Sequence, residues 1–338
     1  MEEQIMTKGY AAKQPGAKLE VFEYDLGPLG DHQVDVKVDY CGICYSDLSM
    51  LDNHWGMTQY PFVPGHEIIG TVEAIGAHVK GLTLGQSVGI GWSSGSCGTC
   101  EWCLTGNHNL CASAIPTVLG PYGGFSDRVR AQAEWVLPIP SALDPKSAGP
   151  LLCGGVTVFN PILEFGVNPT HRVGVIGIGG LGHMALRFLN AWGCEVTAFS
   201  HDPKKESDAK KFGAHHFVNS ADTAAITKVA DSFDFILSTV NVSLDWNSYL
   251  TALRRKGKLI LVGVVLEPIQ INLITLLFGQ KMVSSSGIGS PPTMANMLEF
   301  AARHKILPTV EMFKFSEVNE AIERLRQGKV RYRVVLKH

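Results

Sequence analysis

The chain has 338 residues, including 36 Gly, 17 Pro, 8 Cys and 12 His, which is enough for about two domains. Lys and Arg number 29 against 31 Asp and Glu, a net charge of −2, so no broad positive field exists to draw a polyanion and nucleic acid is not an expected partner. Eight cysteines are too few for a disulfide scaffold in so long a chain and point instead to metal in a reducing compartment.

The N-terminus, Met1-Glu2-Glu3-Gln4, carries acid where a signal peptide carries base, and no apolar run approaches the roughly 18 residues of a membrane span. A soluble cytoplasmic protein with no membrane partner is expected. Cys41-Gly42-Ile43-Cys44 has redox-pair spacing but does not open a helix after a thioredoxin-like strand. Pro64-Gly65-His66-Glu67 follows a Pro-rich turn and precedes the apolar stretch Ile68 to Val72, which puts His66 and Glu67 at a loop-to-strand junction.

Residues 97–111 hold Cys97, Cys100, Cys103 and Cys111 at the spacing C-x2-C-x2-C-x7-C. Four thiolates so placed suit one closed structural zinc, with an iron–sulfur cluster as the rival and His108 left at the surface. Further on, Leu151-Leu152-Cys153-Gly154-Gly155 supplies another cysteine. With Cys44 and His66 it could complete a second zinc site that keeps one position open, although spacing alone does not select these three.

From about residue 172 the pattern changes. Arg172 to Gly177 is a short β-rich run that leads into Gly177-Ile178-Gly179-Gly180-Leu181-Gly182, after which Leu181, Ala185, Phe188 and Trp192 recur at helical spacing. Strand, glycine turn and helix N-terminus together form a dinucleotide-binding unit. Gly177 permits the turn, Gly179 lets a pyrophosphate approach, and Gly182 lets helix and strand pack closely. Strand-like runs at 195–199, 233–238 and 258–263 extend this into a doubly wound parallel sheet.

The run after the second strand is Ser200-His201-Asp202-Pro203-Lys204-Lys205. A small hydroxyl followed by two lysines suits the 2′-phosphate of NADP(H), whereas Asp202 sits near the position where an acid holds the ribose of NAD. The plainer view makes it the polar start of a helix, 204–211. Ser286-Gly287-Ile288-Gly289-Ser290 is a glycine-rich loop after a strand.

CGICYSDL at 41–48, YPFVPGHEIIG at 60–70, the four-cysteine loop, PLLCGGVTVFNPI at 150–162, GIGGLGHMA at 177–185 and VRYRVVL at 330–336 follow one another in an order that resembles the zinc-dependent medium-chain alcohol dehydrogenases. Within them the chain is most similar to the cinnamyl-alcohol-dehydrogenase-like, NADP-dependent aldehyde reductases. The resemblance implies an α/β architecture: a GroES-like, β-rich catalytic zinc domain (1–150 and 309–338) and a doubly wound Rossmann domain (151–308).

It also implies two zinc ions per chain. Cys44, His66 and Cys153 would hold the catalytic one, with Glu67 as an exchanging ligand and Cys41 spare. Asp47 would orient the histidine, and Ser46 would meet the substrate oxygen and start a proton relay. Its next member, His in many relatives, is Ser49 here, and Tyr45 stands where relatives often place His or Arg near the pyrophosphate. Ser200 and Lys205 would hold the 2′-phosphate, Thr157 would lie near the nicotinamide, and Ser286 to Ser290 would line the cofactor's reactive end. Arg333, with Arg331 close by, would contact a phosphate.

Such a protein interconverts primary alcohols and aldehydes with NADP(H); members of the family are dimers or tetramers, and a homodimer is expected here. Trp55 and Trp92, near the catalytic motifs, would suit apolar or aromatic aldehydes, although either could be plain core. The alternatives are an NAD-dependent alcohol or polyol dehydrogenase, which Cys153 disfavours because polyol enzymes often place Glu there, and a non-catalytic protein that keeps the fold.

Overall fold

A computed structural model describes residues 6–119 and 122–338; the acidic N-terminal residues Met1 to Gln4 lie outside this range. The chain forms two compact units, residues 1–156 with 288–338 and residues 157–287. These limits differ from the expected 150/151 and 308/309. The helix Pro291–His304 falls in the first unit, where Met294 and Met297 are fully buried. Sulfur contacts explain this: a Cβ on Gly91 would meet Met294 Sδ, and one on Gly155 would meet Met297 Sδ. Among the described residues, no helix is long and apolar enough to cross a membrane.

The first unit is built on a seven-stranded sheet whose central member is the long strand Gln33–Ile43. Val34, Val36 and Val38 alternate into the core, as a strand's twofold period requires. Asp35 between them is also buried, and the Arg130 guanidinium satisfies it with two bonds of 2.7 and 2.9 Å. The strand Ile68–Ile75 pairs antiparallel on one side. On the other side the C-terminal strand Arg333–Lys337 pairs antiparallel, with Val334 opposite Ile43. This returns the chain's end to the strand terminus that leads into Cys44.

The second unit is a six-stranded, wholly parallel sheet. Its spatial order is His216–Asn219, Glu195–Ser200, Arg172–Ile176, Phe233–Ser238, Leu253–Leu261, Met282–Ser285. Numbered by sequence this is 3-2-1-4-5-6, the doubly wound dinucleotide-binding order, whose direction reverses between Arg172–Ile176 and Phe233–Ser238. Val173, Val175, Val196, Ala198, Phe235, Ile236 and Leu237 are all buried, so these strands are covered on both faces.

Candidate functional site

Cys44 is the N-cap of the helix Tyr45–Leu51. The second turn-forming residue of consequence is Asp47, which is 2% exposed and accepts three hydrogen bonds. Its Oδ2 takes the Cys44 N–H at 2.8 Å, and its Oδ1 takes the Gly65 N–H and the His66 Nδ1 at 2.9 Å each. One carboxylate thus fixes both the helix start that bears Cys44 and the loop that bears His66. It also sets the tautomer, leaving Nε2 of the fully buried His66 without a partner.

That Nε2 faces a cluster in which one donor atom each from Cys44, His66, Glu67 and Cys153 lie within 4.8 Å of one another. Cys44 Sγ and Cys153 Sγ are 3.8 Å apart. A tetrahedral ion with thiolates about 2.3 Å away would set its sulfurs about 3.8 Å apart, so the donors fit one zinc. Two thiolates and a neutral imidazole would balance a divalent charge. Without metal the two thiols share a proton: the bond from Cys153 holds Cys44 well below the usual thiol range against the cost of burial, and Cys153 rises correspondingly. Burial presses the His66 imidazole toward neutrality, but Asp47 and the Cys44 thiolate outweigh it and raise its pKa. Metal binding would release these protons.

Glu67 is fully buried beside the cluster, and burial lifts its pKa to about 7 although Arg333 pulls it down. Its Oε1 accepts from Arg333, while Oε2 has no partner. Arg333, expected at a cofactor phosphate, is 5% exposed; its Nη2 donates to Glu67 and to the Ile43 carbonyl, and its Nε has no partner. The cause is the pairing of its strand with Gln33–Ile43, which points the side chain into the first unit. Two glycines that sequence reasoning passed over make room for Glu67. A Cβ on Gly42 would lie 2.1 Å from Glu67 Oε2, and one on Gly149 would lie 2.5 Å from the Glu67 carbonyl oxygen.

Ser46 Oγ lies 3.7 Å from Cys44 Sγ and is partly exposed, whereas Ser49, one turn on, is buried. Tyr45 is exposed. Trp92 stands perpendicular to the His66 ring, with centroids 4.9 Å apart at 83°, and Trp55 meets Trp92 at 6.1 Å and 67°. Both indoles are half-buried against the core. Cys41 is buried outside the cluster, and Cys194 lies in the second unit with its Sγ 3.4 Å from the Asn168 carbonyl.

In the four-cysteine loop, Cys97, Cys100, Cys103 and Cys111 bring their sulfurs within 4.8 Å of one another. Cys97 lies 3.9 Å from Cys103 and 3.6 Å from Cys111, the spacing of thiolates around a single ion. In an iron–sulfur cluster the thiolates bind separate irons and stand farther apart, so a lone zinc is the better fit. Backbone N–H groups of Thr99 and Cys100 lower the Cys97 pKa to about 6. His108, expected at the surface, is half-buried and edge-on to Trp135 at 6.3 Å.

The second unit carries the glycine turn. Gly177 has φ +90°, and a Cβ there would meet Val240 Cγ1 at 2.6 Å. A Cβ on Gly182, the first residue of the helix Gly182–Trp192, would fall 1.9 Å from the Gly177 carbonyl oxygen. Gly179 faces open space, with nothing within 4 Å of such an atom. Ile178, Gly180 and Leu181 complete a turn whose helix N-terminus offers N–H groups to an anion.

At the end of the neighbouring strand Ser200 is buried, and Lys205 Nζ reaches back 2.9 Å to the Ile178 carbonyl, which places its ammonium beside the turn. Asp202, the acid near the ribose position of NAD, caps the next turn, its Oδ1 accepting from Lys204 N at 3.0 Å. Thr157 is buried in the helix Gly154–Glu164, and Ser286 accepts from Asn160 Nδ2 at 2.9 Å.

A unit with two cysteine-based metal clusters, joined to a doubly wound dinucleotide unit, defines a zinc-binding dehydrogenase. A family model described as Alcohol dehydrogenase GroES-like domain matches residues 30–141, and one described as Zinc-binding dehydrogenase matches 180–303. The chain belongs to the zinc-dependent medium-chain alcohol dehydrogenase superfamily, in its cinnamyl-alcohol-dehydrogenase-like branch. It is 54% identical over 333 residues to the aldehyde reductase AdhA of Synechocystis sp., covering 98% of this chain and 99% of that protein. Among solved structures, a cinnamyl alcohol dehydrogenase from Sorghum bicolor superposes with TM-score 0.94 at 36% identity, covering 98% of each chain. The cinnamyl alcohol dehydrogenase of Helicobacter pylori complexed with NADP(H) gives 0.91 at 28% identity, covering 99% of each.

Proposed function

We propose that the protein is an NADP(H)-dependent aldehyde reductase and primary-alcohol dehydrogenase for apolar or aromatic aldehydes, with two zinc ions per chain. One observation carries the reading: the buried set Cys44, His66 and Cys153, with His66 Nε2 aimed into it and Asp47 locking the ring from behind. No demand of folding explains a buried cysteine pair facing an unpartnered imidazole nitrogen.

When bound, the open-site zinc supplies a Lewis acid for the carbonyl oxygen and NADPH supplies the hydride. The chain's side chains do the rest. Cys44, His66 and Cys153 would hold the metal, and Asp47 holds the imidazole at Nδ1 so that Nε2 is turned toward the thiols. Ser46, partly exposed beside Cys44, would donate its hydroxyl proton to the developing alkoxide and regain one from solvent; Ser49 is too buried to extend the path directly. Trp92 and Trp55 offer an aromatic wall next to His66 that suits a flat apolar substrate and keeps water out. Glu67, fully buried beside the cluster and open at Oε2, would be the side chain to take a metal position during ligand exchange. The Gly177 to Gly182 turn would receive the pyrophosphate, and Ser200 with Lys205 the 2′-phosphate. The relatives named for aldehyde reduction and for a complex with NADP(H) support the same assignment.

A homodimer forms part of this proposal. Met282–Ser285 is an edge strand of the six-stranded sheet, and the preceding helix Leu273–Gly279 exposes Leu273, Ile274, Leu277 and Phe278, each by 64% or more. So large an apolar face next to an open strand edge suits burial against a second copy. Sedimentation should give a dimer that Phe278→Glu weakens. The test of the activity is an initial-rate screen of aromatic and aliphatic aldehydes with NADPH and NADH. Preference for NADPH and an aromatic aldehyde is expected, and equal rates with the two cofactors would refute the cofactor assignment.

A further inference from the structure

The four-cysteine loop is closed at its base by two short paired strands, Ser93–Gly95 and Ile115–Pro116, with Gly95 opposite Ile115 and Ser93 opposite Pro116. The residue before the first strand is Trp92 and the one after the second is Thr117. Thr117 is 1% exposed and binds the other side twice: its Oγ1 donates to the Gly91 carbonyl at 2.6 Å and its N–H to the Trp92 carbonyl at 2.7 Å. Gly91 has little freedom of its own, since a Cβ there would lie 2.5 Å from the carbonyl oxygen of Leu152, the residue before Cys153.

Trp92 in turn faces His66. The bond from Nδ1 to Asp47 fixes one end of the imidazole but leaves the ring able to pivot about that bond. The indole standing at 83° and 4.9 Å removes this remaining freedom, so the direction of Nε2 depends on both neighbours.

We propose that Thr117 is a positioning residue for the metal centre: through its bonds to Gly91 and Trp92 it holds the indole against His66, and so ties the orientation of the metal-binding imidazole to the base of the four-cysteine loop. The inference rests on the reading that Cys44, His66 and Cys153 hold zinc. Thr117→Val keeps the shape and removes the hydroxyl, leaving the buried Gly91 carbonyl without its partner and freeing the Gly91–Trp92 peptide to shift. Thr117→Ser keeps the hydroxyl.

The test uses full-length protein whose open site is loaded with Co²⁺ while the four-cysteine loop retains zinc. It measures Co²⁺ affinity against a chelator, the ligand-field bands, the kcat and KM for an aldehyde, and thermal unfolding. Thr117→Val should lower Co²⁺ affinity about tenfold, the lower end of what groups orienting metal ligands contribute. It should also shift the bands and lower kcat with KM little changed. Thr117→Ser should stay within about twofold of the parent, and Trp92→Leu should reproduce the Val spectrum with Thr117 intact. Parental affinity and bands in Thr117→Val, even with reduced thermal stability, would make Thr117 merely structural and overturn the proposal. An unmodified protein showing no thiolate-to-cobalt charge-transfer band at the open site would instead overturn the underlying zinc reading.

Discussion

Asp47→Asn is the sharpest probe of how the site is held, because it changes one atom of a carboxylate that accepts three bonds at 2.8–2.9 Å. The amide has two orientations. With its oxygen in the place of Oδ1, the bonds from Gly65 and His66 survive and the NH₂ group confronts the Cys44 N–H. With the oxygen in the place of Oδ2, the Cys44 bond survives and the other two are lost. The first orientation costs less, and it leaves one buried donor at the helix N-terminus unsatisfied, a penalty of about 1–3 kcal/mol. The imidazole also loses its anionic partner, for which about a 10–100-fold drop in metal affinity is the usual consequence, about 1.4–2.7 kcal/mol. The assay pairs denaturant unfolding of the metal-free protein with zinc competition against a chelator. Metal-free stability within about 0.5 kcal/mol of the parent, the range of neutral surface changes, together with unchanged zinc affinity, would refute the claim that Asp47 organises the site.

Three further outcomes follow from named contacts. Gly182→Ala places a Cβ 1.9 Å from the Gly177 carbonyl oxygen, so the turn must open; overpacking of about 1–3 kcal/mol and at least tenfold weaker NADPH binding by fluorescence titration are expected, and parental affinity would contradict the glycine argument. Ser200→Asp adds a negative charge where the 2′-phosphate is expected, and the ratio of kcat/KM for NADPH over NADH should fall about 10–100-fold; an unchanged ratio would move 2′-phosphate recognition elsewhere. Metal analysis should find about two zinc ions per chain. Cys44→Ala should retain one of them, bind NADPH and show no turnover, whereas persistent turnover would mean the ligands are misassigned.

Much of this was legible in the linear chain because the chemistry sits in short motifs. The four cysteines at 97–111 are local, and their sulfurs converge because the loop is short. The glycine turn is legible for the same reason: Gly177 takes a positive φ, and Gly182 must clear the Gly177 carbonyl oxygen five residues back. Cys44, His66 and Cys153 are different, since strand pairing brings them together across 109 residues, and only the resemblance of several motifs at once could select them. What escaped was contact between distant segments. Gly42 is glycine because Glu67 lies against it, and Arg333 turns to Glu67 because the last strand pairs with Gln33–Ile43. Trp92 and Thr117 acquire meaning only when the base of the four-cysteine loop is seen beside His66. Asp202 shows the opposite case, a residue whose position suggested ribose binding but whose carboxylate caps its own turn.

The central claim is that a zinc at Cys44, His66 and Cys153 supports NADPH-dependent carbonyl reduction. The most direct measurement is the rate of NADPH oxidation with an aromatic aldehyde before chelation, after a chelator has stripped the open-site zinc, and after zinc is restored. The account predicts reduction that disappears with the metal and returns with it, while NADPH still binds the stripped protein. A rate indifferent to removal of that zinc would contradict it.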